Sequence, residues 1–136
     1  MTFVELRDFC RGALEETGVS LTEEPVRHLA VFRLAVCGVP AERAEGVLRS
    51  LLAANFMGGG TRGARLAVGA DGVIVLTQTL PLALLDGETA TGLARALAGA
   101  ARDWRELISG FGAAVARQES ADVESRRMAG SCFLRV

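Results

Sequence analysis

Apolar residues recur along the chain at two different intervals, and the switches between them mark out its elements. From Phe3 to Thr17 they follow the helical step of three and four, with Phe3, Leu6, Phe9, Cys10, Ala13 and Leu14 on the stripe. Thr2 stands at the N-cap position with Glu5 three residues on, a capping-box pair. Gly18 stands where helices commonly stop. One helix is therefore expected over 3–17. The stretch Leu29–Cys37 is β-branched and aromatic enough for a strand. Leu29, Val31, Arg33, Ala35 and Cys37 would lie on one face and Ala30, Phe32, Leu34 and Val36 on the other. Both faces are largely apolar, as in a strand covered on two sides, although periodicity alone also allows a helix here. Pro25 blocks any helix running through it.

Gly38-Val39-Pro40 reads as a turn, and Pro40 suits the first turn of a second helix. The apolar stripe of that helix is Val47, Leu48, Leu51, Leu52 and Phe56. A glycine cluster, Gly58 to Gly63, follows. Arg65–Val68 and Val73–Thr79 then flank Gly69-Ala70-Asp71-Gly72, and Asp-Gly between two apolar segments is a strong hairpin signal. Pro81 closes the second of these strands. Asp86 is placed to cap a third helix with the stripe Leu93, Leu97, Ala100, Ala101, Trp104, Leu107, Ile108 and Phe111. After Arg117 the sequence turns polar and is expected to fray. The fold class that results is α+β: a small antiparallel sheet with three helices in the order α-β-α-β-β-α. It forms a single domain over 1–117, followed by a polar, flexible tail over 118–136.

Composition narrows the functional classes. Fifteen basic against 16 acidic residues leave a net charge of −1 in 136 residues, without the basic excess of a nucleic-acid binder. Every basic residue is arginine, so lysine chemistry is excluded. Cys10, Cys37 and Cys132 are odd in number and have no zinc-like spacing. The N-terminus lacks the apolar core of a signal peptide. No apolar run approaches the roughly 18 residues of a membrane-spanning helix. A reducing, cytoplasmic setting is the expectation.

Candidate chemistry is sparse. Gly58–Gly63 formally reads G-x-G-x-x-G, but a dinucleotide fingerprint runs strand, glycine turn, helix, so that the helix N-terminus meets the phosphates. Here the order is helix, turn, strand, and a connector is the better reading. His28 is the single histidine and has no metal-ligand or triad pattern around it. Glu15-Glu16 and Glu23-Glu24 read as solvated faces, and Cys37 as a small hydrophobe. No catalytic residues, cofactor or metal site are expected.

The apolar residues exceed what one small layer buries, and exposed patches of that kind mean a partner. They could equally close a monomer core, and composition does not choose between the two.

The order of elements, with Leu51, Leu52, Ala54 and Asn55 before the Gly58–Gly63 step, then Val73–Leu80, Leu85-Asp86, and Leu93, Leu97 and Trp104, resembles the type III secretion chaperones of the CesT/Tir chaperone type. The likeness covers Gly38 to Ile108. It implies a compact, non-enzymatic, cytoplasmic protomer that dimerises through the second helix and the strand beside it. It also implies binding of the N-terminal segment of a secreted effector in extended form, for delivery to the export apparatus. On this basis Val47, Leu48, Leu51, Leu52 and Phe56 are the candidate dimer contacts. Phe3, Leu6, Phe9, Val31, Phe32 and Leu34 are the candidate substrate contacts. The partner is then a secreted protein together with a second copy or a related subunit, with no nucleic acid and no membrane insertion. An alternative is a regulatory or scaffold subunit paired with another chaperone-like chain. Two departures stand out. Gly18–Val39 leaves only 22 residues where the family fits three strands, so at least one strand is expected to be shortened or lost, and the charge is less acidic than is usual.

Overall fold

The computed structural model describes residues 1–57 and 64–129, with Met57 and 111–129 as backbone only. Its elements are α1 (Phe3–Phe9), α2 (Arg11–Thr17), β1 (Ser20–Glu24), β2 (Leu29–Gly38), α3 (Ala44–Met57), β3 (Arg65–Val68), β4 (Val73–Pro81) and α4 (Gly87–Ala129), with short 3₁₀ turns at Ala41–Arg43 and Leu82–Leu84. The fold is α+β, and the four strands pair antiparallel in the order β1-β2-β4-β3.

The first helix differs from the expectation of one continuous segment. The backbone leaves helical geometry at Cys10 (φ −95°, ψ 10°), which divides it into α1 and α2. Hydrogen bonds still cross the joint, from Cys10 N to Leu6 O (3.2 Å) and from Leu14 N to Cys10 O (3.0 Å). The buried Cys10 thiol donates to Leu6 O at 3.1 Å. The jog therefore costs little and turns Cys10 inward. Gly18 ends α2 at φ 77°, a left-handed conformation that glycine adopts without strain. The 22-residue segment Gly18–Val39 holds two strands, β1 and β2, joined by a turn in which His28 has φ 54°. His28 is exposed, and its carbonyl accepts from Leu82 N at 2.9 Å.

Strand alternation sets the layers. Ala30, Phe32, Leu34 and Val36 of β2, Leu21 of β1, Ile74 and Leu76 of β4 and Leu66 of β3 are all buried on one face. Helix α4 lies over β2, α1 and α2 pack on α4, and α3 sits at β3. Together with Leu6, Cys10, Val47, Leu51, Leu97, Trp104 and Ile108 these residues make one core. Among the described residues no element covers the opposite face: Arg33 and Ala35 are exposed, while Leu29, Val31 and Cys37 are half-buried. The sequence pattern suggested cover on both sides of β2, and the described residues supply it on one. At the β2–β4 register break between Ala35 and Cys37, Arg105 reaches from α4 to the carbonyls of Ala35 (2.8 Å) and Val36 (2.7 Å). These two bonds tie helix to sheet.

In α4 the expected stripe holds for Leu97, Ala100, Ala101, Trp104 and Ile108. Ala90 and Ala94, both fully buried, extend it toward the N-terminus and let the helix lie close to its neighbours. Leu107 is 56% exposed and does not belong to the core. The helix continues past Arg117 to Ala129. The glycine cluster and Cys132 lie outside the described residues, as does the side chain of Phe111.

Both capping sites form as their residue types dictate. Thr2 N donates to the Glu5 carboxylate (2.8 Å) and Thr89 N to that of Asp86 (2.7 Å). These backbone N–H bonds hold the two carboxyls below their ordinary values of 4.5 and 3.8. A carboxyl whose folded pKa is depressed contributes stability that is complete above the unfolded value and lost as pH falls through the folded one. The thermal midpoint is therefore expected to decline as pH drops below about 4.5. The double variant Glu5→Gln, Asp86→Asn keeps the acceptors but not the titration, and should show a flatter profile.

Candidate functional site

Three surfaces could receive a partner, and they are built by different elements. The first is the outer side of α3. Its 3.6-residue repeat sends Val47 (2% exposed) and Leu51 (4%) into the core and leaves Leu52 (70%) and Phe56 (89%) in solvent, with Leu48 at the boundary (37%). Of the five candidate dimer contacts, Val47 and Leu51 are therefore corrected to core positions, because both touch the protomer's own interior. Leu48, Leu52 and Phe56 remain as one exposed i, i+4, i+8 stripe. On another arc of α3, Ala54 shares a hollow of about 340 Å³ with Asp103, Trp104 and Leu107 of α4.

The second surface is α1 with the start of α4. Phe9 is 60% exposed and Val4 55%. The Phe9 ring lies over Gly87, in the space a side chain would fill there. Phe3 is half-buried beneath the Arg7 guanidinium, 5.8 Å from its ring centre. The third surface is the uncovered sheet face with Val31. Leu6 (1%), Phe32 (0%) and Leu34 (7%) are core residues, so these three candidate substrate contacts are corrected: their side chains fill the space between sheet and helices and cannot meet a partner. The survivors do not form one patch. Val31 lies on the open side of the sheet, whereas Phe3 and Phe9 belong to the helical layer on the other side.

The sheet edges are unequal. Asn55 Nδ2 donates to Leu66 O (2.7 Å), and its Oδ1 accepts from Leu66 N (2.8 Å). One amide thus satisfies both outward backbone groups of an edge residue, as a neighbouring strand would. Arg65 adds a bond to Asn55 O at 3.0 Å. Edge β3 is sealed at Leu66, while β1 forms the other edge of the sheet. Asn55→Leu should strand both Leu66 groups against the helix and cost about 1–3 kcal/mol, read by urea unfolding. Asn55→Asp, which keeps an acceptor for Leu66 N, should lose less.

Among the described residues no three His, Cys, Asp or Glu side chains group as a metal site would. Glu15, Glu16 and Glu23 are exposed, and the Glu24 carboxylate is engaged by Arg27 N at 2.7 Å. Burial pushes the Cys10 and Cys37 thiols up, away from nucleophilic thiolate. No described helix is long and apolar enough to cross a membrane. Sequence reasoning missed Leu84 and Leu107 as exposed apolar residues, and it missed the bonds made by Asn55 and Arg105. Arg33 is the one charge inside the run Leu29–Cys37.

The chain is thus a one-sided sheet under helices, with apolar residues left exposed on several elements. Residues 15–105 match the Tir chaperone protein (CesT) family, and the chain belongs to that family. Two solved structures share the fold. One, described as the structure of the HopA1-SchA chaperone-effector complex, has 19% identity and a TM-score of 0.54, and covers 74% of this chain and 90% of that chain. The other, the ExsC-ExsE complex, has 15% identity and a TM-score of 0.59, and covers 79% and 97%. No curated protein matches the sequence.

Proposed function

We propose that the protein is a type III secretion chaperone. It binds the N-terminal segment of a secreted effector in extended form, keeps it soluble and passes it to the export apparatus. It works in the cytoplasm as a homodimer joined along α3, without catalysis. The observation that carries this reading is the distribution of exposed apolar side chains. Phe9, Leu52, Phe56 and Leu84 are 60%, 70%, 89% and 72% exposed, and large apolar groups held in solvent on several elements fit partners rather than a self-sufficient monomer. The family membership and the likeness to a solved chaperone–effector complex support the same reading.

The separation of surfaces suits an extended client. A folded partner could cover the open sheet face or α1, but a segment without its own core can run from one to the other. Apolar anchors and backbone bonds at a strand edge then supply the affinity. With β3 sealed by Asn55, the edge offered for strand pairing is β1. The test is purification from the native host under mild conditions, with identification of the bound protein. The expected result is a stoichiometric complex with a protein that leaves the cell, held through its N-terminal segment. A chain that purifies alone, as a stable monomer, would overturn the reading.

A further inference from the structure

On the proposed binding role, the open sheet face raises a question of charge. The cross-strand register places Ser20, Arg33, Thr77 and Arg65 in one row over all four strands. The next row is Ala35, Val75 and Ala67, small and apolar. Arg33 thus stands on a central strand among short side chains. It borders a trough of about 640 Å³ that also involves Ala67, Asp71, Val75 and Thr77. Several other arginines among the described residues are engaged: Arg11 by Asp8, Arg49 by Glu45, Arg65 by Asn55 O and Arg105 by two carbonyls. Arg33 makes no ion pair or side-chain hydrogen bond among the described residues. Asp71 lines the same trough, and its Oδ1 accepts from Val73 N at 3.1 Å; Glu24, opposite Leu29 at the far end of β1, pairs with Arg27.

A segment that covers this face removes water from the guanidinium. Burying a charge without a partner is costly, so the occupant must bring an acceptor, and a carboxylate matches the planar fork best. A second copy seated here with its two-fold axis close to Arg33 would set like charges together, which disfavours self-association centred on that residue. We propose that the open sheet face takes an extended client segment with an Asp or Glu side chain opposite Arg33, flanked by small or β-branched residues over Ala35, Val75 and Ala67. Arg33 is then a specificity-determining residue of the chaperone.

The proposal can be tested without knowing the client. Random 12-residue peptides displayed on phage are selected on the full-length wild-type chain and on Arg33→Gln. A selected sequence is then synthesised with its central Asp intact and with Asp replaced by Asn. The wild-type chain should enrich acidic peptides and bind the Asp form about tenfold more tightly than the Asn form, as a charge-assisted pair exceeds a neutral one. The gap should close in Arg33→Gln, and Arg33→Glu should prefer an Arg-centred peptide. Unchanged thermal midpoints would show that both variants fold. An Asp preference that survives Arg33→Gln overturns the proposal. So do selected peptides without acid, or peptides whose amide shifts fall away from β2 and β4, although these outcomes leave the chaperone reading standing. A wild-type chain that retains no peptide at all overturns both.

Discussion

Leu52→Glu combined with Phe56→Glu is expected to turn the proposed α3-joined dimer into a folded monomer. Both side chains are largely in solvent in the protomer, at 70% and 89%, so the free chain tolerates charge there. In a dimer joined along α3 the same positions are buried against their counterparts, and an unpaired carboxylate in an apolar contact costs several kcal/mol. A loss of about 4 kcal/mol raises the dimer Kd about a thousandfold, enough to abolish the dimer at micromolar concentration. Light scattering reads the mass and circular dichroism the fold. Val47→Glu or Leu51→Glu, at 2% and 4% exposure, should instead unfold the chain. If Leu52→Glu with Phe56→Glu leaves the dimer intact, the interface lies elsewhere.

Phe32→Ala should be the most damaging single truncation, and Phe9→Ala among the mildest. Phe32 is fully buried at the centre of β2, pairing with Leu21 and Gln78 in register. Removing its ring opens a cavity worth about 3–5 kcal/mol, a large share of the roughly 5–15 kcal/mol that holds a domain of this size. Phe9 rests on Gly87 with 60% of its surface exposed, so its truncation should change stability by less than about 1 kcal/mol. If Phe9 is a client anchor, the variant should lose about 1–3 kcal/mol of binding. Urea unfolding and a client pull-down on the same two proteins separate the cases. Equal destabilisation by both would make Phe9 a core residue.

What the sequence disclosed depended on how local its cause was. The capping box at Thr2–Glu5, the Gly18 stop, the Asp-Gly hairpin and the Asp86 cap are interactions within a few residues, and all were legible. The fold class was legible too, because alternation in β2 and the helical stripe of α4 carry it. The jog at Cys10 was not, since the stripe runs unbroken through it and only Cys10's own backbone and sulfur contacts reveal the change. The site was half legible. Periodicity found the apolar residues of α3 but could not tell which arc faced inward, so Val47 and Leu51 stood beside Leu52 and Phe56. In β2 the pattern was apolar on both sides, which hid that Phe32 and Leu34 face the helices while Val31 does not. Asn55 joining β3, and Arg105 joining the β2 bulge, link residues 11 and about 70 apart, distances over which no sequence period speaks.

The measurement that bears most directly on the central claim is amide hydrogen exchange on the complex purified from the host, read on both chains. The client segment should show slow exchange only at backbone groups paired with β1 and fast exchange elsewhere, with no protected core of its own, while this chain gains protection on β1, β2 and α1. A bound partner whose segment is protected throughout as a folded unit, with β1, β2 and α1 of this chain unchanged, would contradict it.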